Sequence, residues 1–134
     1  MTQERAVKQV IVIRRDLKMR RGKEVAQGAH ASTAWLSRRL RPALNGYPAL
    51  RYATFKDAEL AWLSGGFRKV TCQVPGEAEI MALKAAADAA GVEAHVITDA
   101  GLTEFGGVPT VTAIGIGPDW DDRIDKITGD LSLY

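Results

Sequence analysis

The chain has 134 residues, of which 46% are hydrophobic and 25% carry a charge. These values are typical of a soluble globular protein, and we expect one domain over residues 1–134. No apolar run is long enough to cross a membrane and the polar N-terminus does not look like a secretory signal, so we expect a cytoplasmic protein with no membrane partner. The single cysteine, Cys72, excludes an internal disulfide framework and makes a structural metal site improbable.

Charge is distributed unevenly along the chain, although the net charge is only +2. Residues 1–41 contain eleven Lys or Arg against three Asp or Glu, a net charge of +8, and the remaining residues carry a net charge of −6. Such a basic segment predicts a face that binds a polyanion, most simply a nucleic acid. The alternative is a chance cluster of charges on a solvated surface.

Apolar periodicity and turn residues predict strands that alternate with helices. The predicted strands are residues 7–14, 69–74, 92–98 and 110–115. The first helix spans about 22–40 and stops before Pro42, and a loop follows over 42–52. A second helix begins with Thr54 as its N-cap and ends at Gly65, a third spans about 77–90, and a final helix begins at Pro118.

The resulting order is β-α-α-β-α-β-β-α, which predicts an α/β fold with helices on both faces of the sheet. The direct step from the third to the fourth strand is too short for a parallel crossover. We therefore expect a mixed four-stranded sheet in a single domain. Cys72, Trp35, Trp62 and Phe55 fit core positions, whereas the position of Trp120 is open.

The first helix carries two stripes at helical spacing. The predicted buried stripe consists of Ala26, Ala29, Thr33, Leu36 and Leu40. Lys23, Gln27 and His30 form a polar stripe about 100° away. The polar stripe begins at the helix N-terminus, which attracts anions, and Arg20 and Arg21 precede it. The alternative is an ordinary solvated helix face.

A second polar segment, from Asp99 to Thr103, follows the third strand. If the first and third strands run parallel, Lys23, Asp99 and Thr103 meet at the carboxyl edge of the sheet, where ligand sites collect. A carboxylate, a hydroxyl and an ammonium there could support attack of water on an ester. Asp99 could instead only close a turn, and Thr103 could only cap it.

Four motifs occur in an order that resembles the type-two peptidyl-tRNA hydrolases, the family found in archaea and eukaryotes with bacterial relatives. The opening motif is D-L-x-M-x-x-G-K-x-x-A-Q-x-x-H-A over residues 16–31. It is followed by D-A-G-x-T at 99–103, T-V-x-x-I-G-x-G-P at 110–118 and T-G-x-L-x-L at 128–133. The resemblance covers nearly the whole chain and implies a mixed four-stranded sheet and hydrolysis of the ester that joins a peptide to tRNA.

The resemblance implies functional roles for Lys23, Asp99 and Thr103, without a metal or organic cofactor. Asp99 would orient or deprotonate water, and Lys23 would stabilise the oxyanion or hold the terminal phosphate or ribose. His30 is either a proton carrier, a hydrogen-bonding partner of the substrate or a structural residue. The residues expected to bind the tRNA substrate are Arg14, Arg20, Arg21, Gln27 and Thr110.

The chain departs from the family pattern at two places. Val108 stands where a threonine is expected, and Arg20-Arg21 replaces the more usual Gly and Lys. These departures leave a rival hypothesis, a non-catalytic member of the fold that binds RNA or another protein. A homodimer is left open.

Overall fold

The computed structural model describes residues 5–44 and 54–134. In these residues the chain forms five strands and four helices around one sheet. The strands are β1 (Val7–Arg14), β2 (Lys69–Val74), β3 (Ala94–Asp99), β4 (Thr110–Trp120) and β5 (Ser132–Leu133). The helices are α1 (Arg21–Leu44), α2 (Asp57–Ser64), α3 (Glu77–Ala90) and α4 (Asp121–Thr128). None of the described helices combines the length and apolar character needed to cross a membrane.

The sheet has the strand order β3-β4-β1-β2-β5. β1 and β2 are parallel, whereas β4 runs antiparallel to both of its neighbours and β5 antiparallel to β2. The predicted mixed α/β sheet is confirmed, with the short strand β5 added to the four predicted strands. Because β4 lies between β1 and β3, those two strands point the same way and end at the same edge.

Two apolar layers cover the two faces of the sheet, as predicted for helices on both sides. On one face α3 and α4 pack through Ile80, Leu83 and Ile124 against Val10 and Val12 of the central strand. On the other face α1 packs through Ala31 and Ala34, which lie over Ile11, Ile13 and Ala113. Trp35 and Trp62 are both buried and meet edge to face with ring centroids 6.0 Å apart.

The buried face of α1 differs from the predicted one. Ala26, Ala29 and Thr33 are exposed, and the buried residues are Gln27, Ala31, Ala34 and Trp35. The helix lies so close to β4 that a Cβ added at Gly115 would overlap the carbonyl oxygen of Ala31. Because alanine and glycine occur on several faces of this helix, the hydrophobic pattern does not define which face is buried. The close approach of the helix backbone to Gly115 determines the buried face.

Helix α1 continues to Leu44, so the prediction that it ends before Pro42 is wrong. Proline lacks an N–H and removes one hydrogen bond from a helix, a modest loss in a last turn. Residues 42–44 of the predicted loop at 42–52 are therefore helical, and residues 45–52 lie outside the described residues.

Two predicted boundaries also move. The N-cap of α2 is Lys56 rather than Thr54, because the Glu59 carboxylate accepts a hydrogen bond from the Lys56 backbone N–H at 2.8 Å. Strand β4 runs to Trp120, so α4 begins at Asp121 rather than at Pro118. Pro118 falls where the pairing of β4 with β1 shifts register, and strands tolerate proline at such irregularities.

Strand β3 is an edge strand, and two long basic side chains cover its outer carbonyls. Arg38 Nη2 donates to the carbonyl oxygen of Val96 at 3.1 Å, and Lys84 Nζ donates to that of Ala94 at 3.0 Å. Charged side chains on an edge discourage pairing with another strand.

Candidate functional site

The site lies at the carboxyl edge of the sheet, where β1 and β3 end and α1 begins. Lys23 is in the first turn of α1, and Asp99 is the last residue of β3. The common direction of β1 and β3 brings the two side chains together across 76 positions of sequence. The predicted convergence required the first and third strands to run in the same direction, and β1 and β3 do so.

Lys23, Asp99 and Thr103 are in direct contact. Lys23 Nζ donates to Asp99 Oδ1 at 2.9 Å and to Thr103 Oγ1 at 2.8 Å. The side chains of Lys23 and Asp99 are 15% and 16% exposed, so the ion pair is largely removed from water but can be reached from it. Phe105 lies beside this cation, with Lys23 Nζ 5.7 Å from the ring centroid.

A buried pair of polar side chains supports Asp99 from beneath. Gln27 Nε2 donates to Asp99 Oδ1 at 3.2 Å, and the Thr112 hydroxyl donates to Gln27 Oε1 at 2.5 Å. Gln27 is 2% exposed and Thr112 is fully buried. Since an ionised carboxylate only accepts hydrogen bonds, Gln27 must face Asp99 with its amide nitrogen, and Thr112 keeps the amide in that orientation.

Thr112 reaches Gln27 because β4 contains an extra residue opposite β3. Ile97 pairs with Ala113 and Thr98 with Val111, so Thr112 has no partner of its own in this ladder. An unpaired extra residue re-aims the side chains of a strand. Val111 packs on the α3 face and Ala113 on the α1 face, and the irregularity lets Thr112 face α1 as well.

The loop after β3 holds Thr103 in place. Gly101 has φ +81°, and a Cβ there would overlap the carbonyl group of Val108. The Gly107 N–H donates to the Gly101 carbonyl oxygen at 2.7 Å and closes the loop on itself. Only glycine satisfies both the positive φ and this close approach, so Gly101 fixes the loop that carries Thr103.

Asp99 also performs the turn role that the sequence left open. Its Oδ2 accepts a hydrogen bond from the Gly101 N–H at 2.8 Å. The two roles are compatible, because one carboxylate oxygen serves the turn and the other faces Lys23 and Gln27. Lys23 first, then the Gly101 N–H and Gln27, stabilise the anion and hold the pKa of Asp99 below its ordinary value, against a smaller opposing effect of desolvation.

The hydrogen bonds of the cluster leave a definite set of open positions among the described residues. A carboxylate accepts about four hydrogen bonds, and Asp99 receives three, so one acceptor position remains on Oδ2. An ammonium donates three, and Lys23 uses two. Thr103 accepts from Lys23 and retains its own O–H as a donor. The arrangement offers one acceptor for water and two donors for a developing oxyanion.

The structure places other predicted site residues outside this cluster. Arg14 bonds to Asp16 at 2.8 and 3.0 Å and to the Val111 carbonyl oxygen at 3.1 Å, and Asp16 contributes most to raising the pKa of Arg14. Thr110 pairs with Asp99 in the sheet, but its hydroxyl donates to the Val108 carbonyl oxygen at 2.8 Å. The Val108 side chain is 61% exposed.

His30 and the two loop arginines are also apart from the cluster. His30 is exposed and lines a separate cavity between α1 and β3. Arg20 is 89% exposed and lies 3.9 Å from Glu104, and Arg21 is exposed at the first position of α1. In the described part of the chain, no three metal-binding side chains are grouped as a metal site would require.

Comparison with known proteins gives consistent similarities. The family model of Peptidyl-tRNA hydrolase PTH2 matches residues 7–134. A Peptidyl-tRNA hydrolase of Methanothermobacter thermautotrophicus is 39% identical over 95% of this chain and 99% of its own length. The corresponding proteins of Methanopyrus kandleri and Haloquadratum walsbyi are 41% and 38% identical, over 94% and 96% of this chain and 97% and 100% of their own lengths.

Proposed function

The chain belongs to the Peptidyl-tRNA hydrolase PTH2 family and hydrolyses the ester bond of peptidyl-tRNA, and we propose that Lys23, Asp99 and Thr103 carry out this reaction. The observation that carries the proposal is the set of open positions in the cluster. One acceptor and two donors match the needs of a water molecule that attacks an ester carbonyl. The product is free tRNA, which returns to translation.

Asp99 would bind the attacking water through the open position on Oδ2. Its low pKa makes it a weak base at neutral pH, so orientation of the water contributes more than full removal of its proton before attack. The negative charge would stabilise positive charge that develops on the water as the C–O bond forms. Gln27 and Thr112 act as positioning residues, because they hold the carboxylate without a contact to the reacting atoms.

Lys23 and Thr103 would supply the remaining N–H and O–H to the carbonyl oxygen of the ester. As water adds to the carbonyl carbon, negative charge collects on that oxygen, and preorganised donors lower the barrier most when they already point at it. When the intermediate collapses, the bond to the ribose oxygen of tRNA breaks, and that oxygen gains a proton in place of the one that the attacking water loses, which leaves the peptide with a free carboxyl group. We keep His30 as a hypothesis for proton delivery, since it lies on the same side of α1 as Lys23.

The tRNA would lie against the basic residues that surround the cluster. Arg20 and Arg21 are exposed beside the start of α1 and suit contacts with phosphates. Arg14 is held by Asp16, so its contribution would be to the shape and charge of the edge. We propose a single-domain enzyme of the cytoplasm, where its substrate arises.

The substitution Asp99→Asn tests this proposal. Asparagine retains an oxygen for the Gly101 N–H and serves well in a turn, but it removes the charge that holds Lys23 and the water. We expect the rate of hydrolysis of an N-blocked aminoacyl-tRNA to fall by about 10²-fold or more. Affinity for deacylated tRNA should stay the same or rise, since a negative charge beside a polyanion is removed.

Asp130→Asn provides the matched control, because Asp130 is an exposed carboxylate after α4 and lies beside Val74 and Leu83 on the α3 face of the sheet, whereas the cluster lies on the α1 face. Its turnover should equal that of the unmodified protein. Full turnover by the Asp99→Asn variant would remove Asp99 from the mechanism. Absence of turnover in the unmodified protein, with tRNA binding intact, would favour a binding protein on this fold.

A further inference from the structure

A basic groove runs between α1 and the edge strand β3, beside the catalytic cluster. Its volume is about 390 Å³. The side chains that define this basic groove are His30, Thr33, Ser37, Arg38 and Arg41 of α1 and Thr98 of β3. We propose that the basic groove binds phosphates of the tRNA acceptor end, so that the RNA follows α1 away from Lys23. The proposal rests on the proposed function, because it names where the leaving tRNA lies.

The basic groove continues the polar stripe that begins at Lys23. An α-helix turns about 100° and rises about 1.5 Å per residue, so a side chain eighteen positions after Lys23 points the same way about 27 Å further on. Arg41 occupies that position, and His30 and Arg38 point within about 60° of it. The reacting ester and the basic groove are therefore reached from one side of a single rigid helix.

The chemistry of the lining suits phosphate groups. Two guanidinium groups, an imidazole and three hydroxyls surround a small apolar floor formed by Ala34 and Ile97. No carboxylate occurs among the described residues that line it. The carboxylates of the neighbouring strand are already paired, since Asp99 faces Lys23 at 2.9 Å and Glu93 faces Arg39 at 3.2 Å. The described lining therefore carries the formal positive charges of Arg38 and Arg41 and no negative charge.

Arg38 is held in place before any ligand arrives. Its Nη1 lies 3.0 Å from His95 Nδ1, and its Nη2 donates to the Val96 carbonyl oxygen. A guanidinium has five N–H groups, so three remain for an anion. An arginine that is fixed by other contacts loses little further side-chain freedom when it binds a phosphate.

A purely structural explanation predicts a different outcome. Arg38 would only cover the edge strand, and Arg41 would only favour the C-terminal end of the helix dipole. Both roles concern stability and are independent of RNA length. Phosphate contacts beyond the terminal nucleotides, by contrast, matter only for a substrate long enough to reach them. RNA length therefore separates the two explanations.

The experiment compares the unmodified protein with Arg41→Ala, Arg38→Ala with Arg41→Ala, and Lys126→Ala as a matched control. Lys126 is an exposed cation on α4, which packs on the opposite face of the sheet. Binding of deacylated tRNA is measured at several salt concentrations, and thermal unfolding is recorded for each protein. Hydrolysis is then measured on an N-blocked aminoacyl-tRNA and on the same ester carried by a short oligonucleotide of the tRNA 3′ end.

In the double variant, the slope of log affinity against log salt should decrease in magnitude by about 1.4 to 1.8, at about 0.7–0.9 for each of the two phosphate contacts. Arg41→Ala alone should give about half of this change, and Lys126→Ala none. KM for the full tRNA ester should rise at least fivefold with kcat nearly unchanged, while kcat/KM for the short ester changes less than twofold.

Equal losses on the long and short esters, or an unchanged salt slope, would overturn the proposal. Loss of Arg38 could also disturb the edge strand β3, which would complicate the double variant. Arg41 is exposed, so the single substitution Arg41→Ala avoids this effect, and it must already reduce the slope of log affinity against log salt. Since deacylated tRNA carries no ester, the binding measurement does not depend on catalysis. If the Asp99→Asn variant kept full turnover, the test of the basic groove by tRNA binding would therefore remain valid. If the salt slope were unchanged, the test of Asp99 by hydrolysis would likewise remain valid.

Discussion

Lys23 is a cation in the first turn of a helix, where the positive end of the dipole disfavours it. The contacts with Asp99 and Thr103 compensate for this position. The side chains of both partners are only about 15% exposed, so the cost of removing two charges from water offsets most of their attraction, and the net contribution of the ion pair to stability is small. Because Lys23 contributes little to stability and lies at the centre of the cluster, we infer that its role is to contact a substrate.

We therefore expect Lys23→Ala to reduce kcat/KM about 10²-fold or more, with a decrease of only a few degrees in Tm. Ester hydrolysis and thermal unfolding on one preparation check this expectation. Lys126→Ala, on the other face of the sheet, should alter neither value. Parallel losses of activity and stability in the Lys23 variant would assign this residue to the fold.

The pH dependence of the enzyme follows from the depressed pKa of Asp99. Lys23 lowers this pKa, so the carboxylate stays ionised as pH falls from neutral to below about 4, the ordinary value for aspartate. Its contribution to stability is present above the unfolded pKa and is lost as pH falls through the lower folded pKa.

We expect protonation of Asp99 to cause no fall in kcat/KM between pH 8 and pH 5. NMR should show that the Asp99 carboxyl titrates with a pKa below the ordinary value for aspartate. In Lys23→Ala the same titration should shift upward, because the largest cause of the depression is removed. A midpoint near neutrality in the unmodified protein would contradict this account and would make Asp99 a proton acceptor.

The sequence predicted the convergence of the residues proposed to react, but not the residues that support them. Lys23, Asp99 and Thr103 were predicted together, and the structure places them in contact. Gln27 was predicted to bind substrate, yet it is buried against Asp99. Thr112 was not predicted, because its role depends on an irregularity in β4 that reverses the alternation of side chains. A hydroxyl two positions after Thr110 was the only signal in the sequence.

At the scale of elements, the contact between α1 and β4 sets the geometry of the site. Helix α1 carries Lys23 and Gln27, and its height above the sheet is limited by the approach of Ala31 to Gly115. Any side chain at Gly115 would push the helix outward and pull both groups away from Asp99. The glycine is therefore a requirement for the site as much as for the core.

We expect Gly115→Ala to lower the free energy of unfolding by about 1–3 kcal/mol and to reduce turnover. Gly28→Ala is the matched control on the same helix, since its Cβ would meet Ile11 Cγ2 at an ordinary 3.9 Å. Replacement of a mid-helix glycine by alanine should raise stability by about 0.5–1 kcal/mol. Denaturant unfolding measures both changes, and similar effects of the two substitutions would disprove the contact.

The prediction of elements succeeded where periodicity and turn residues agreed. Strand β2 and helix α3 lie where the sequence placed them, between clear Gly and Pro signals. The rotation of α1 was wrong because alanines on several faces give no preferred direction. The extension of β4 beyond Gly115 was missed because Gly117 and Pro118 look like a strand end, although β1 pairs with this segment as far as Trp120.

At the scale of the whole molecule, much of the charge of the +8 segment lies around the site, although Arg5 and Lys8, near the start of β1, pair with Asp122 and Asp125 of α4. The loop before α1 and the length of α1 together supply most of that charge. Because Lys23 lies between them, a polyanion attracted to either part is brought to the cluster. The basic composition was readable from the sequence, but the arrangement around one edge required the topology of the sheet.

Binding of tRNA should therefore depend strongly on salt. Replacement of both Arg20 and Arg21 by alanine should reduce the magnitude of the slope of log affinity against log salt by about 1.4 to 1.8, with little change in Tm because both side chains are exposed. Filter binding or fluorescence titration between low and physiological salt gives this slope. An unchanged slope would mean that the loop faces away from the RNA.

The position of β4 between β1 and β3 determines at what point of its synthesis the chain can assemble the site. While it is being synthesised, the chain is itself a peptide esterified to tRNA on the ribosome. Lys23, on the helix after β1, and Asp99, at the end of β3, are both synthesised before β4, but β1 and β3 are joined only when β4, residues 110–120, has entered the sheet. Domains complete their folding as their last segments become available. A nascent chain in which β4 has not yet formed therefore lacks the contact between Lys23 and Asp99, so we expect it to be unable to cleave such esters, including its own.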